Sequence, residues 1–180
     1  AVIDLGAGNT ITLHSVSKSE LLKSSILVLP ATDNLIQGVK LSNGRHSDDV
    51  LEGTDGNDRI EGSKTPFDEF EDGYDRLIGG KGNDVLIGGG NDRGSGGYVV
   101  DAYVFGSDSG QDMVIGFFVE HELLFGRDRR HDFIEIEEDI NGSGIKTTQD
   151  VLDRTTDDED GFAVIDLGAG NTITLHSVSK

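Results

Sequence analysis

Apolar residues in the middle of this chain are isolated and recur at intervals of about nine residues, each embedded in a stretch rich in Gly and Asp. The clearest stretches read GTDGNDRIE at 53–61 and GGKGNDVLI at 79–87. Their last three residues have one central apolar side chain, which predicts a short strand with a single inward-facing residue. The Gly-rich part before it predicts a tight bend. Since so short a strand cannot bury its apolar face alone, we expect stacked turns that share a continuous apolar ladder.

Six units of the form G-G-x-G-x-D-x-U-x, where U is apolar, can be aligned along residues 44–104. They are 44–52, 53–61, 70–78, 79–87, a unit one residue short at 88–95, and 96–104, with an eight-residue insertion at 62–69. The sixth position is occupied by Asp49, Asp58, Asp75, Asp84 and Asp101, with Asp92 in the short unit. The eighth position is occupied by Leu51, Ile60, Leu77, Leu86 and Tyr103.

The segments on either side of the units have a different pattern. Residues 1–18 and 163–180 are both AVIDLGAGNTITLHSVSK, without one difference between them. Alternating apolar and polar residues around GAGN predict a β-hairpin in each copy. At the end of the first copy, Ser17 and Glu20 form a capping-box pattern that predicts a short helix through Leu21 and Leu22. Residues 26–29 then predict a strand that ends before Pro30.

The duplicated segment has two interpretations. The chain can hold one complete unit of a tandem array, at 1–162, followed by the start of the next unit at 163–180, or it can be an engineered overlap or permutation. In both cases it contains one structural unit. We expect the second copy to pack at the C-terminal end of the stacked turns, and the first copy, with the helix and strand after it, to cover the N-terminal end. The competing possibility is that only one copy docks.

Composition limits the classes of function. Of the 180 residues, 34 are acidic and 15 basic, which gives a net charge of -19, while only 34% are apolar and Cys is absent. This charge argues against nucleic-acid binding. No apolar run is long enough to span a membrane, and without Cys there are no disulfides or thiolate metal sites. Rows of repelling Asp side chains require a cation, and hard oxygen ligands suit Ca²⁺.

The units resemble the calcium-binding nonapeptide of the RTX (repeat-in-toxin, hemolysin-type) family. The segments GGYVVDAYVF, SGQDMVIGFF and HDFIEIEE, with the second hairpin, resemble the closing segment that follows such repeats. The resemblance implies an all-β fold, a Ca²⁺-loaded right-handed parallel β-roll flanked by hairpin caps and one short helix. It implies an N-terminal cap at 1–43, the roll at 44–104 and the closing segment at 105–180.

In that family each ion lies between the bends of units n and n+2, where main-chain carbonyls and two Asp side chains bind it. The resemblance therefore implies four sets of ligands, in which the Asp at the sixth position of each unit contributes its side chain and every other residue, Asp72 included, contributes its carbonyl. On one edge the sets are Thr54, Gly56 and Asp58 with Gly79, Lys81 and Asp84, and Gly80, Gly82 and Asp84 with Gly96, Tyr98 and Asp101. On the other edge they are Arg45, Ser47 and Asp49 with Phe70, Asp72 and Asp75, and Glu71, Gly73 and Asp75 with Gly88 and Asp92.

Other candidate sites are weaker. Residues 139–150 resemble an EF-hand loop, with oxygen-bearing side chains at positions 1, 3, 5 and 12. A further Ca²⁺ site and a plain surface loop are both open there. The acidic run at 157–160 is typical of a solvated loop. His121 and Glu122 begin like a zinc-protease motif, but Phe125 stands where the second His is needed. With no serine-nucleophile motif either, the sequence predicts no enzymatic activity in this chain.

Two classes of function are compatible with these features. The first is a calcium-folded structural module of a secreted or surface repeat protein, such as an adhesin, and the exact repeat favours it. The second is an accessory module of a secreted protease, lipase or polysaccharide epimerase whose catalytic part lies elsewhere. The resemblance implies type I secretion from a Gram-negative bacterium. The partners it suggests are calcium ions and neighbouring copies of the module, a polysaccharide or a cell surface.

Overall fold

The regular secondary structure of the described residues is almost entirely β-strand. The computed structural model describes residues 2–6, 9–12, 30–38, 48–62, 73–89, 100–119, 131–176 and 178. The helix predicted near Leu21 and the strand predicted at 26–29 lie outside these residues. Within them, the helical structure consists of α1 (Thr148–Asp153) and a 3-10 turn (Ile140–Gly142). No helix in the described part of the chain is long and apolar enough to cross a membrane.

Thirteen strands form within the described residues, in three sheets. They are β1 (Val2–Gly6), β2 (Asn9–Thr12), β3 (Asn34–Gln37), β4 (Val50–Glu52), β5 (Asp58–Glu61), β6 (Arg76–Ile78), β7 (Val85–Ile87), β8 (Ala102–Phe105), β9 (Gln111–Ile115), β10 (Phe133–Ile136), β11 (Thr155–Asp157), β12 (Ala163–Gly168) and β13 (Asn171–His176). The strand predicted at the end of each full nine-residue unit is present as β4 to β8.

These central strands form two ladders of parallel pairs. Strands β3, β5, β7 and β9 follow one another in one sheet, and β4, β6, β8 and β10 in the other. Successive partners along the middle of each ladder are separated by the same interval along the chain, as in Leu51 with Leu77 and Ile60 with Leu86. Both ladders extend beyond residues 44–104, so the ends of the parallel strands do not coincide with the boundaries inferred from the repeat.

The apolar ladder predicted at the eighth position of the units is confirmed. Those side chains are all buried and belong to one core cluster: Leu51, Ile60, Leu77, Leu86 and Tyr103. Val114 of β9 and Ile173 of β13 continue this cluster towards the C-terminus, and both are fully buried. The Tyr103 hydroxyl accepts the Gly88 N–H at 3.0 Å, which satisfies its polar atom inside the core.

The second copy of the repeated segment completes the larger sheet. Its strands β12 and β13 form the predicted antiparallel hairpin; β13 pairs in parallel with β9, and β12 pairs with β11. The first copy is also a hairpin, β1 with β2, and its register is the same, including the irregularity between Asp4 and Gly6. Within the described residues, β1 and β2 pair only with each other.

Candidate metal-binding bends

A Gly directly after each of the strands β3 to β7 lies against the carboxylate of the Asp at the start of the next strand. A Cβ atom added to any of these glycines would contact Oδ2 of that Asp at less than 3 Å. The pairs are Gly38 with Asp49, Gly53 with Asp58, Gly62 with Asp75, Gly79 with Asp84, and Gly88 with Asp101. Gly is therefore needed at these positions for space, because a side chain would collide with the carboxylate. The same packing occurs in short and long connections.

The Asp side chains form two hydrogen-bonded ladders. The short connections from β4 to β5, from β6 to β7 and from β8 to β9 are the short bends, and they lie on one edge. There the Asp58 N–H donates to Asp84 Oδ1 at 2.8 Å, and the Asp84 N–H donates to Asp112 Oδ1 at 2.9 Å. We call Asp58, Asp84 and Asp112 the short-edge ladder. Each carboxylate thus fixes the start of the strand in the preceding turn.

The long-edge ladder consists of Asp49, Asp75, Asp101 and Asp132. The N–H groups of the first three donate to Oδ1 of the next member at 2.9, 3.0 and 3.0 Å. This edge therefore repeats the geometry of the short edge, although its connections are longer.

Two carboxylate oxygens of the short-edge ladder are buried and accept no hydrogen bond. They are Oδ2 of Asp84 and Oδ2 of Asp112, on side chains that are 0% and 2% exposed. Asp58 differs, because its Oδ2 accepts the Thr54 N–H at 2.5 Å and the Thr54 hydroxyl at 2.8 Å. A buried carboxylate oxygen without a partner is costly, and such groups usually pair with a cation or become protonated.

The pKa values show the same contrast. Burial raises the pKa of Asp84 to about 6; the N–H of Asp58 opposes this effect and the Asp58 charge adds to it. Burial raises the pKa of Asp112 to about 8. The Asp84 N–H opposes this effect, the Asp84 charge adds to it, and the Ser109 hydroxyl opposes it from nearby, although the hydroxyl does not reach hydrogen-bond geometry. Burial acts in the same direction on Asp58, but hydrogen bonds from Asn34 and Thr54 outweigh it and lower its pKa. The ladder is thus electrostatically unfavourable when all its members are ionised and no cation is bound.

Main-chain carbonyl oxygens lie between the stacked short bends. The Thr54 carbonyl accepts the Lys81 N–H at 3.1 Å, and a Cβ on Gly82 would lie 2.5 Å from the Gly56 carbonyl oxygen. Gly82 has φ of +107°, and Gly110, whose added Cβ would contact the Gly82 carbonyl oxygen, has φ of +89°. These glycines allow successive bends to approach closely enough to bring carbonyl and carboxylate oxygens together.

A ladder of amide side chains keeps the short bends in register. Asn57 Oδ1 accepts the Asn83 N–H at 2.8 Å, and Asn83 Oδ1 accepts the Gln111 N–H at 2.8 Å. At the end of the stack the Asn171 side chain takes over this role and accepts the Gly110 N–H at 2.7 Å. The residue before each ladder Asp therefore positions the bend, and the Asp itself faces the interior.

The structure brings together the first predicted ligand set and separates the second. The bend with Thr54, Gly56 and Asp58 stacks on the bend with Lys81 and Asp84 as expected. Asp84 and Asp101, however, begin strands of different sheets, so their predicted grouping is wrong. Asp84 is hydrogen-bonded to Asp58 and Asp112, and Asp101 is hydrogen-bonded to Asp75 and Asp132.

The reason for this error is the status of residues 88–95. If residues 88–95 are counted as a nine-residue unit, every later unit is numbered one too high. The n to n+2 rule then assigns 96–104 to the wrong edge. In the structure β7 ends at Ile87 and β8 begins at Ala102, the same separation as between β5 and β6. Residues 88–95 thus correspond to the insertion 62–69. Gly88 lies against Asp101, and its carbonyl oxygen also lies near Asp75 Oδ2, because a Cβ added to Gly62 would contact both oxygens at less than 3 Å. The predicted grouping of the Gly88 carbonyl with Asp75 is therefore compatible with the structure.

The remaining predicted ligands divide into two groups. Asp49 and Asp75 are brought together on the long edge, as expected. Gly73 is buried and lies two residues before Asp75. The others lie outside the described residues: Arg45, Ser47, Phe70, Glu71, Asp72, Asp92, Gly96 and Tyr98.

Asp112 and Asp132 belong to the ladders but were missed by the sequence analysis. The signal for Asp112 is GSDSGQD at 106–112, whose last three residues match Gly82-Asn83-Asp84 in type. This bend has one residue more than the bend before Asp84, so Asp112 does not fall at the sixth position of a nine-residue unit. Asp132 is marked only by its position before the apolar strand β10.

The segment 139–150 behaves as a loop followed by a helix start. Asp150 accepts the N–H groups of Lys146 and Thr147 at 3.0 and 2.8 Å, forming a capping box with Thr147 at the start of α1. Asp139 accepts the Gly144 N–H at 2.9 Å, and Ile145 is buried in the core. The acidic run near 157–160 forms an exposed turn closed by hydrogen bonds to Asp158.

Within the described ranges, no group of three or more His, Cys, Asp or Glu side chains could hold a metal ion. A site that combines two carboxylates with main-chain carbonyls does not require such a group. Compared with protein-family models and with curated proteins, the chain matches none.

Proposed function

We propose that the stacked bends bind Ca²⁺ and that the chain is a calcium-folded structural module, built as a right-handed parallel β-roll. The observation that carries this proposal is the pair of buried, unpartnered carboxylate oxygens, Oδ2 of Asp84 and Oδ2 of Asp112. They lie in bends whose carbonyl oxygens approach the next bend closely. Sets of oxygen ligands without nitrogen or sulfur suit a hard divalent cation.

The charge balance supports a cation more strongly than protonation alone. The net charge is -19, and the described ion pairs of Lys and Arg are made with other carboxylates: Arg59 with Glu61, Arg76 with Glu135, Lys81 with Asp55, and Arg154 with Asp166. No basic side chain in the described residues is paired with the short-edge ladder. Divalent ions between the bends would neutralise it without introducing a buried side chain.

The residues that would hold these ions follow from the stacking. On the short edge they are the carboxylates of Asp58, Asp84 and Asp112 with the carbonyls of Thr54, Gly56 and Gly82. On the long edge the corresponding carboxylates are Asp49, Asp75, Asp101 and Asp132. A bound ion supplies positive charge and oxygen coordination, and the chain supplies the order of the bends.

The proposed role is structural rather than catalytic, in a secreted or cell-surface protein of a Gram-negative bacterium. The two identical hairpins with the same register favour a repeat-built surface protein. The alternative is an accessory module of a secreted enzyme. The sequence of the parent gene distinguishes them: further copies of the unit at 1–162 support the first, and an adjoining catalytic motif supports the second.

Calcium titration calorimetry tests the binding site directly. We expect Asp84→Asn to lose part of the Ca²⁺ stoichiometry, because Asp84 lies between Asp58 and Asp112 and would contribute to the ions on both sides. Asp112→Asn should lose less, since it ends the ladder. Asp153→Asn is the matched control, because Asp153 is exposed at the end of α1. If both ladder variants retain the stoichiometry of the control, the proposed sites are wrong.

A further inference from the structure

The second hairpin occupies a well-defined docking site on the rest of the molecule. We call this the hairpin site; it consists of β9, β11 and the turn Ile140–Gly142. Strand β13 pairs with β9 over five residues, from Thr172 with Gln111 to His176 with Ile115, and β12 pairs with β11 over three. The hairpin thereby lies between the two strands and joins β11 to the rest of the larger sheet.

The docked hairpin also contributes buried side chains and specific polar contacts. Its inward-facing residues are at most 6% exposed and join the core: Ala163, Ile165, Leu167, Ile173 and Leu175. The Leu167 carbonyl accepts the Asn141 side-chain amide at 3.3 Å, and Asp166 lies 3.5 Å from Arg154. These contacts are specified by the hairpin sequence.

The first copy contains every one of these residues. Leu167, Asp166 and Ile173 correspond to Leu5, Asp4 and Ile11 when the two identical segments are aligned. Its backbone already has the same hairpin register. Yet in the described residues β1 and β2 form a separate two-stranded sheet, and a two-stranded hairpin is marginally stable alone. One molecule therefore has two hairpins that fit and one hairpin site.

We infer that the hairpin site of one molecule accepts residues 1–18 of a second copy of this chain when its own residues 163–180 are displaced. Exchange preserves the sheet pairing and the core contacts, because both segments have the same sequence. The tethered hairpin is favoured by its high effective concentration, so exchange requires concentrated protein or a damaged second copy. Each molecule offers one donor hairpin and one acceptor site, so the assembly is head-to-tail.

Matched substitutions in the two copies test this inference by light scattering after size-exclusion chromatography in Ca²⁺. Ile173→Asp places a charge in the core and displaces the second hairpin, whereas Ile11→Asp makes the same change in the first. We expect Ile11→Asp to behave as the unmodified chain. Ile173→Asp should form dimers and larger species whose fraction rises with protein concentration. The double variant should remain monomeric, because neither hairpin can dock.

A peptide of sequence AVIDLGAGNTITLHSVSK provides a second readout that does not depend on assembly. Added in excess to the double variant, it should raise the thermal midpoint, while the same peptide with Asp in place of the Ile of its NTIT strand should not. A monomeric Ile173→Asp variant that keeps the stability of the unmodified chain would overturn the inference, since the first hairpin would then dock within its own molecule. Absence of both assembly and peptide rescue would also overturn it.

Discussion

At the scale of single residues, Gly79 and Asp84 depend on one another. The carboxylate of Asp84 occupies the space that a side chain at residue 79 would need. Gly79 is not among the residues with positive φ, so its backbone conformation alone does not require Gly. Gly is required at residue 79 for a steric reason, because a buried carboxylate of the candidate ion site approaches it closely.

Gly79→Ala should therefore destabilise the chain through a steric effect on Asp84. Overpacking of this kind costs about 1–3 kcal/mol in the free energy of unfolding. Gly106→Ala is the matched control, because Gly106 begins the third short bend and an added Cβ there would contact nothing within 4 Å. Urea denaturation in saturating Ca²⁺ measures both. Equal effects of the two substitutions would contradict the proposed packing.

The raised pKa values of Asp84 and Asp112 predict opposite pH dependence with and without Ca²⁺. Without the ion, the folded chain retains protons that the unfolded chain releases above the ordinary pKa of 3.8. Stability of the ion-free fold should then fall as pH rises from about 4 to about 8. Ca²⁺ must displace these protons, so its affinity should increase over the same range.

Calcium titration calorimetry at several pH values measures the affinity for Ca²⁺. Repeating the titrations in different buffers measures how many protons are released on binding. Asp112→Asn should remove the part of the dependence between about pH 6 and 8, where Asp112 titrates. Asp153→Asn should leave the profile unchanged. An affinity for Ca²⁺ that does not vary with pH would show that these carboxylates do not bind the ion.

At the scale of the elements, the turn of the fold is longer than the nine-residue unit suggests. In the central turns, hydrogen bonds between equivalent groups repeat every 26 residues along the chain, as from Asp58 to Asp84 and from Asp75 to Asp101. A turn therefore contains two strands, one short bend and one long connection. The long connections all occur on one edge, at 38–49, 62–75, 88–101 and 116–132.

Strand positions could be predicted from the sequence, while their grouping could not. The apolar residue two places after each Asp identified β4 to β8, because that spacing directs the side chain inward wherever the turn lies. Assignment to an edge requires the lengths of the connections. Residues 62–69 and 88–95 have equal length but different composition, and the Asn91-Asp92 pair made the second resemble a bend.

Leu86→Ala tests how far the apolar ladder stabilises the fold. Leu86 is fully buried in β7, and truncation of such a side chain costs about 2–5 kcal/mol of unfolding free energy. Leu35→Ala in β3 is the control, since Leu35 is 58% exposed and should lose less than about 1 kcal/mol. Guanidinium denaturation in Ca²⁺ compares them. A cost for Leu35→Ala as large as that for Leu86→Ala would mean that the ladder is not the main core.

At the scale of the whole molecule, the parallel ladders are closed by antiparallel structure from the C-terminal part. The second hairpin was predicted to pack there, and its pairing with β9 confirms it. The short helix α1 is not predicted from the sequence, because residues 139–150 match the ligand spacing of an EF-hand loop and Asp150 falls at its last position, whereas in the structure Asp150 belongs to the capping box of α1. The spacing of oxygen-bearing residues does not distinguish a calcium-binding loop from a loop that leads into a helix. The burial of Ile145 favours the loop that leads into a helix.

We expect the whole fold to depend on Ca²⁺. The core has about one apolar side chain per strand in the central turns, and the two Asp ladders repel when no ion is bound. Short strands then cannot offset the entropy of ordering the chain. We expect circular dichroism to show a largely unfolded chain in chelator and a β-sheet spectrum when Ca²⁺ is added to about 10⁻⁴ to 10⁻³ M, the range of extracellular modules. Equal ionic strength of NaCl is the control, because screening alone should not supply ligands for buried oxygens such as Asp84 Oδ2. A full β-sheet spectrum in chelator at neutral pH would contradict the prediction, since the buried carboxylates would then be accommodated without a cation.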